Sequence, residues 1–387
     1  MAETLGVYII FEIGIILCIS SLAAEGFKRL RLPGLIGAIL VGLFIGGPGG
    51  IGWVTDLNVI NIFAMLGAIF ILFSSGLELD STAFVNAEKK AFLLTTLGVI
   101  ASVVLGTVLG LCFGWTSQAA FLLGVMISPS GTSIIATILN AKQKIDTGEG
   151  SALLTAAVVD DIEGVLLLSI ALGGWGQGSN SIVNIILITV FAIIFIFGSI
   201  YLGRHLLPKL MEKLQRKISE DGLFAILIGV GLMVAFCASL VGLSPITGAF
   251  IVGVLIPYKK FGEKMDSRIS MMKELFAILF FTSIGLSINP LNMLALLPVS
   301  LLVLGVALAM RLLGGLAGGR LDGYSGKSLW AMASGLAIRG EVTLIIAQTA
   351  ISIGIVGPEF LTIGTVVVIG SILILLPFYN KMSQFLH

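Results

Sequence analysis

Charge is scarce in this 387-residue chain, where Asp, Glu, Lys and Arg make up only 11% of the residues. A soluble domain carries about 25%. The net charge of +1 leaves no basic surface for nucleic acid and no acidic one for a basic partner. Histidine is almost missing, with only His205 and His387, and Cys18, Cys112 and Cys237 lie in separate apolar runs. Those spacings exclude a zinc or haem centre and a disulfide framework, and no cofactor is expected. The opening MAETLGVYII has no basic n-region, so no removable signal peptide is read. Gly46-Gly47-Pro48-Gly49-Gly50 is followed by no Gly-Lys-Ser/Thr and reads as a turn, not a phosphate loop.

Apolar residues fill the space that charge leaves. They make up 57% of the chain, and the mean hydropathy is +1.12, which specifies an all-α polytopic membrane protein. Thirteen spans are expected. The first seven are Gly6–Ala24, Leu32–Gly47, Leu57–Leu77, Lys90–Cys112, Thr116–Asn140, Glu149–Leu172 and Ile182–Leu206. The others are Gly222–Val241, Pro245–Tyr258, Lys273–Ile288, Pro298–Gly319, Ser328–Ile353 and Phe360–Tyr379. Basic residues then fall on alternate connections, as in Lys28-Arg29-Leu30-Arg31, Lys89-Lys90, Lys142 with Lys144, the Lys209–Lys217 and Lys259–Lys273 stretches, Arg320 with Lys327, and Lys381. By the positive-inside rule that face is cytoplasmic, which puts the N-terminus outside and the C-terminus in the cytoplasm of a multi-pass cell-membrane protein. Arg311 and Arg339 are the two basic residues left inside spans.

The chain also repeats itself at an offset of 209 residues: Phe70–Leu77 echoes Leu279–Leu286, Gly131 falls on Gly340, and Gly148 on Gly357. Leu32–Ala38 resembles Ser244–Ala249 at a slightly different offset. Spans one to six thus pair with eight to thirteen. With one linker span between them the second copy enters the membrane inverted, a signature of secondary transporters whose site lies near the midplane.

Candidate chemistry concentrates in three places. Asp160 and Asp161 sit mid-span, where each carboxylate costs about 2.5–3.5 kcal/mol on insertion scales and is expected to be functional. Adjacent helical residues point about 100° apart, so the two carboxylates have different roles. In the fifth span Ile127-Ser128-Pro129-Ser130-Gly131-Thr132-Ser133 interrupts the helix, and the related Leu336-Ala337-Ile338-Arg339-Gly340-Glu341-Val342 interrupts the twelfth. Freed carbonyls at half-helix C-termini suit a cation or Arg339, and the positive N-termini suit Glu341. Arg311 is placed to pair with Asp160, and Glu163, on the same helical face as Asp160, to pair with Arg339. Such a site lets protons and a hard monovalent cation compete for one set of oxygens. Glu12, in the first span, is left unassigned.

Lys28-Arg29-Leu30-Arg31-Leu32-Pro33, Gly76-Leu77-Glu78-Leu79-Asp80, Val159-Asp160-Asp161 and Arg339-Gly340-Glu341 together resemble the monovalent cation:proton antiporters. The branch is the one that includes bacterial sodium/proton antiporters and glutathione-gated potassium efflux systems, and the resemblance covers essentially the whole chain. It implies crossed discontinuous fifth and twelfth helices, and a homodimer held by a dimerisation part (about 1–80 and 222–290). It also implies an elevator-like core (about 90–172 and 298–380), with 182–206 as linker helix, all within one membrane transport domain, 1–387. Asp161 becomes the principal ligand for Na⁺ (or Li⁺), with Asp160 beside it and with Ser130 and Thr132 near. Potassium efflux members carry a cytosolic nucleotide-binding domain, which is not expected here. Where the family usually has a lysine this chain has Arg311, which does not release a proton and so implies one-for-one exchange. Glu163 is a second departure, at a position expected to be apolar. Exchange of K⁺ for H⁺ is the nearest alternative. A cation channel would lack coupling to protons, and an intramembrane aspartyl protease needs two aspartates facing across a peptide, which adjacent helical residues do not provide. A bile-acid-type symporter would bind sodium through neutral oxygens beside an organic-substrate cavity.

Overall fold

The computed structural model describes residues 2–30, 32–46, 52–54, 57–78, 89–144, 147–173, 217–240, 245–256 and 263–386, with scattered positions between 198 and 214. The expected linker span, 182–206, falls almost wholly outside them. All regular structure among the described residues is helical. This is the form apolar runs take where no water can satisfy backbone N–H and C=O groups. In chain order the helices are α1 (Ala2–Arg29), α2 (Gly34–Ile45), α3 (Leu57–Glu78), α4 (Lys89–Cys112), α5 (Ser117–Met126), α6 (Thr132–Ala141) and α7 (Gly148–Gly173). They continue as α8 (Glu220–Leu240), α9 (Pro245–Leu255), α10 (Glu263–Leu286), α11 (Pro290–Leu321), α12 (Gly326–Ala337), α13 (Glu341–Ser352) and α14 (Glu359–Met382). Proline opens α9 and α11, where a missing N–H costs nothing. The Thr116 hydroxyl accepts the Ala119 N–H at the start of α5.

Each expected span outside the seventh falls on a helix or a pair of half-helices, with two corrections. The eleventh begins at Pro290, not Pro298, and carries Pro298 in its interior, since proline is tolerated inside a membrane helix. The tenth begins at Glu263 instead of Lys273, because no helix breaker separates that charged stretch from the apolar run. The fifth and twelfth are each two half-helices, as the interruptions at 127–133 and 336–342 predict.

The chain divides into two compact units, Met1–Thr82 with Leu172–Pro290, and Ala83–Ala171 with Leu291–His387. In the first, α2 packs on α1 and α10, and α9 on α8 and α3. These contacts repeat: a Cβ on Gly42 would lie 2.9 Å from the Gly285 Cα, and one on Gly253 3.0 Å from the Gly76 carbonyl carbon. Helix backbones approach this closely only where side chains are absent.

The second unit repeats at the same offset as the sequence. Gly106 meets Gly124 and Gly110 meets Ala120, while 209 residues on Gly315 meets Ala333 and Gly319 meets Leu329. Two related residues, Gly131 and Gly340, touch each other: a Cβ on Gly340 would lie 2.5 Å from the Gly131 Cα. A residue meets its own symmetry mate only near the axis relating them, so a pseudo-two-fold axis runs through the point where the broken spans cross.

Candidate functional site

The crossing is built by the two chain breaks. Residues 127–131 separate α5 from α6 and residues 338–340 separate α12 from α13, and the Gly131 N–H donates to the Ile338 carbonyl at 2.8 Å. Four half-helix ends thus meet in the interior of the second unit, two presenting carbonyls and two presenting N–H groups.

Charged side chains satisfy those ends. Arg339 is fully buried; its Nη1 donates to the Ser128 and Pro129 carbonyls at 3.0 and 3.1 Å, and its Nη2 to the Ala307 carbonyl at 2.8 Å. It therefore places a positive charge at the negative C-terminal end of α5. Glu341, the first residue of α13, accepts a hydrogen bond from Ser133, the second of α6. One carboxylate thereby serves two positive helix ends.

The α7 helix supplies the aspartates. Asp160 is completely buried; its Oδ2 accepts the Ser130 N–H at 2.6 Å and pairs with Arg311 Nη2. Arg311, 1% exposed, also donates from Nε to the Leu336 carbonyl at 3.2 Å, from Nη1 to the Thr95 carbonyl at 2.9 Å, and from Nη2 to the Thr95 hydroxyl at 2.7 Å. It does not snorkel to a membrane face. Gly98 provides its room, since a Cβ there would sit 3.0 Å from the Arg311 Cδ and Nη1. Asp161, 1% exposed, projects from the next position on α7. Thr132 donates to the Ala157 carbonyl at 3.2 Å, which fastens the start of α6 to α7 one turn before Asp161.

One expected pairing is corrected. Glu163 does not meet Arg339; it accepts a hydrogen bond from the Thr96 hydroxyl on α4. Arg339 is drawn instead to backbone carbonyls that the broken helix leaves without intrahelical partners. The sequence reading also missed Thr95, Thr96, Ser133 and Ser371. Ser371 Oγ accepts the Arg339 N–H at 2.9 Å, as Asp160 accepts that of Ser130, and it lies two residues from the position the 209 offset assigns to Asp160. The repeat was therefore a usable signal for Ser371, whereas no short motif marks the threonines.

Two buried oxygens at the crossing, Ser130 Oγ and Asp160 Oδ1, have no hydrogen-bond partner. Buried polar atoms left this way cost stability unless a ligand or a proton completes them. An anionic, oxygen-rich cluster beside freed helix ends suits a small hard cation or H⁺, with backbone and hydroxyl oxygens completing the shell.

The chain is similar to known proteins over nearly its whole length. The family model described as "Sodium/hydrogen exchanger, transmembrane" matches residues 14–380. The chain is 31% identical over 362 residues to the Na⁺/H⁺-K⁺ antiporter GerN of Bacillus cereus, covering 93% of this chain and 92% of that one. It is 28% identical over 338 residues to a Na⁺/H⁺ antiporter of Enterococcus hirae, covering 86% and 87%. The solved structure of the sodium proton antiporter MjNhaP1 from Methanocaldococcus jannaschii superposes with a TM-score of 0.80 at 18% identity, over 97% of this chain and 98% of that one, and so shares the fold. With charged side chains seated at two crossed, broken helices and a family model spanning nearly its whole length, this chain belongs to the transmembrane sodium/hydrogen exchanger family of membrane transporters.

Proposed function

We propose that the chain exchanges Na⁺ (or Li⁺) for H⁺ by alternating access, with cation and protons competing for Asp161 and Asp160. The observation that carries this reading is the pair of buried, partnerless oxygens on Ser130 and Asp160, next to Asp161 at the crossing. Names of the relatives support sodium as the cation, and that of GerN favours K⁺ as a second substrate. Asp161 is the principal ligand, Ser130 and Thr132 contribute neutral oxygens, and Arg311, Arg339 and Glu341 hold the frame. The second unit is read as the ion-carrying core. The first is read as a dimerisation part holding two copies together, with the basic connections cytoplasmic and the N-terminus outside. Exposed apolar side chains on α1 and α8, such as Phe11 and Phe236, are available to lipid or to a second copy.

The test is dequenching of a pH-sensitive dye in proteoliposomes given Na⁺, Li⁺ or K⁺ in turn. Wild type collapses the proton gradient on Na⁺ addition, and Asp161→Asn, purified folded, does not. Exchange by Asp161→Asn at the normal rate refutes the assignment, and cation flux that a pH gradient cannot drive uphill marks a channel.

A further inference from the structure

The half-helix α6 carries Thr132 and Ser133 at the crossing and runs ten residues, about 15 Å, to its far end. There the Gln143 and Lys144 N–H groups close on the Asn140 and Leu139 carbonyls at 2.9 and 2.8 Å, with Gln143 at φ +54°. Among the described residues Gln143 is the one non-glycine in the left-handed region, at a cap position that ordinarily takes glycine or asparagine. On either side of it, Lys142 donates to the Asn380 carbonyl in the last turn of α14, and Lys144 to the Leu386 carbonyl at 2.8 Å.

The accepting segment is itself built in. Ser383 and Leu386 are fully buried, the Ser383 hydroxyl donates to the Asn380 carbonyl at 3.2 Å, and Ser383–Phe385 form a short 3₁₀ turn. Its other side reaches α12. Lys327 Nζ stands 4.2 Å from the centre of the Phe385 ring, and Trp330 meets the Phe378 ring edge-on, centroids 6.4 Å apart. The half-helix α6 leaves the crossing toward this end of the unit, and α12 arrives from it, so residues 378–386 grip both. Capping alone does not require the grip. At the opposite end α13 finishes in the same cap, with Gly354 at φ +79° and the Gly354 and Ile355 N–H groups on the Ile351 and Ala350 carbonyls at 2.9 and 3.1 Å. Ile353 and Ile355 flank the left-handed residue there, where α6 has its two lysines. The repeat thus supplies the cap, and the lysines are an addition to one half-helix.

A ten-residue helix is too short to keep its place by its own helicity, so its position is set by what holds its two ends. Building on the antiport reading, we propose that Lys142 and Lys144 are positioning residues of the exchange. Through the 378–386 brace they hold α6 beside α12, so that Ser130 and Thr132 are preset for the cation. Such preorganisation lowers the ordering cost of binding and so acts on cation affinity.

The experiment measures Na⁺ KM and kcat in proteoliposomes, and hydrogen–deuterium exchange of the α6 amides in the purified full chain. Lys142→Met/Lys144→Met is expected to raise KM about fivefold and to speed exchange of the α6 amides. Its kcat should stay within about twofold of wild type. Lys142→Arg/Lys144→Arg keeps donors for both carbonyls and restores KM. Phe385→Ala loosens the grip on α12 and raises KM too, and combined with the lysine changes it adds less than its own effect, because both act through one segment. A Met variant with wild-type KM overturns the brace even if its unfolding temperature falls, since the lysines would then serve stability alone. Unchanged exchange of the α6 amides, or an Arg variant as impaired as the Met one, also overturns it. Should the double variant not fold, Lys144→Met alone, which loses one contact of a partly exposed side chain, carries the same expectations. Wild type that moves no Na⁺ against protons overturns the antiport reading and this proposal with it. Normal wild-type exchange beside an unchanged Met variant overturns the brace alone.

Discussion

Removing the Arg311 guanidinium should destabilise the second unit chiefly by stranding Asp160. In the native site the Asp160 carboxylate has two partners, the Ser130 N–H and Arg311, and both charged side chains are essentially excluded from solvent. Arg311→Met keeps the volume and removes the charge. Breaking a buried pair by deleting one member costs about 3–5 kcal/mol, because the surviving charge is left uncompensated. Asp160→Asn removes that charge while its side-chain oxygen still accepts from Ser130. The double variant Arg311→Met/Asp160→Asn is therefore expected to recover roughly 2–3 kcal/mol relative to the sum of the single losses. Unfolding of the purified protein in mixed micelles, followed by tryptophan fluorescence, measures all four corners of the cycle. Strictly additive losses would refute the idea that Arg311 is there to answer Asp160.

Other substitutions probe the remaining parts of the frame. Arg339→Lys keeps the charge but not the planar fork that reaches three carbonyls, and should lower thermal stability and cut the exchange rate at least roughly tenfold. Gly340→Ala introduces a methyl group 2.5 Å from the Gly131 Cα, and overpacking of about 1–3 kcal/mol should show as a lower unfolding temperature. Glu341→Gln retains the Ser133 contact and loses the charge at two helix N-termini, for an expected cost of about 1–2 kcal/mol. Ser130→Ala deletes a hydroxyl whose oxygen has no protein partner, so it should leave stability almost unchanged while raising the Na⁺ KM about tenfold, or roughly 1.4 kcal/mol.

The parts of the site readable in the sequence were those encoded by rare residues in an apolar background. Pro129 and Gly131 announced a break in one span, Gly340 between two charges announced another, and Arg311 stood out as a deep charge with Asp160 as its natural partner. The repeat was legible because close helix approaches demand small residues at fixed spacing, as Gly106 and Gly315 show. What escaped was recognition by the backbone. Arg339 answers carbonyls of Ser128, Pro129 and Ala307, and a carbonyl carries no residue signature, so a carboxylate was wrongly chosen as its partner. Thr95 and Thr96 were invisible for a related reason: on an apolar helix, threonine most often bonds its own preceding turn. Helix ends were least legible where the markers were ambiguous, since Pro298 reads as a start and stands inside a helix.

Competition at the buried aspartates is tested most directly by the Na⁺ KM of wild-type exchange, measured in proteoliposomes as a function of pH at fixed driving force. The account predicts a KM that rises steeply as the medium becomes more acidic, with the rate at saturating Na⁺ little changed. A KM that stays constant across that range, while transport persists, would contradict it.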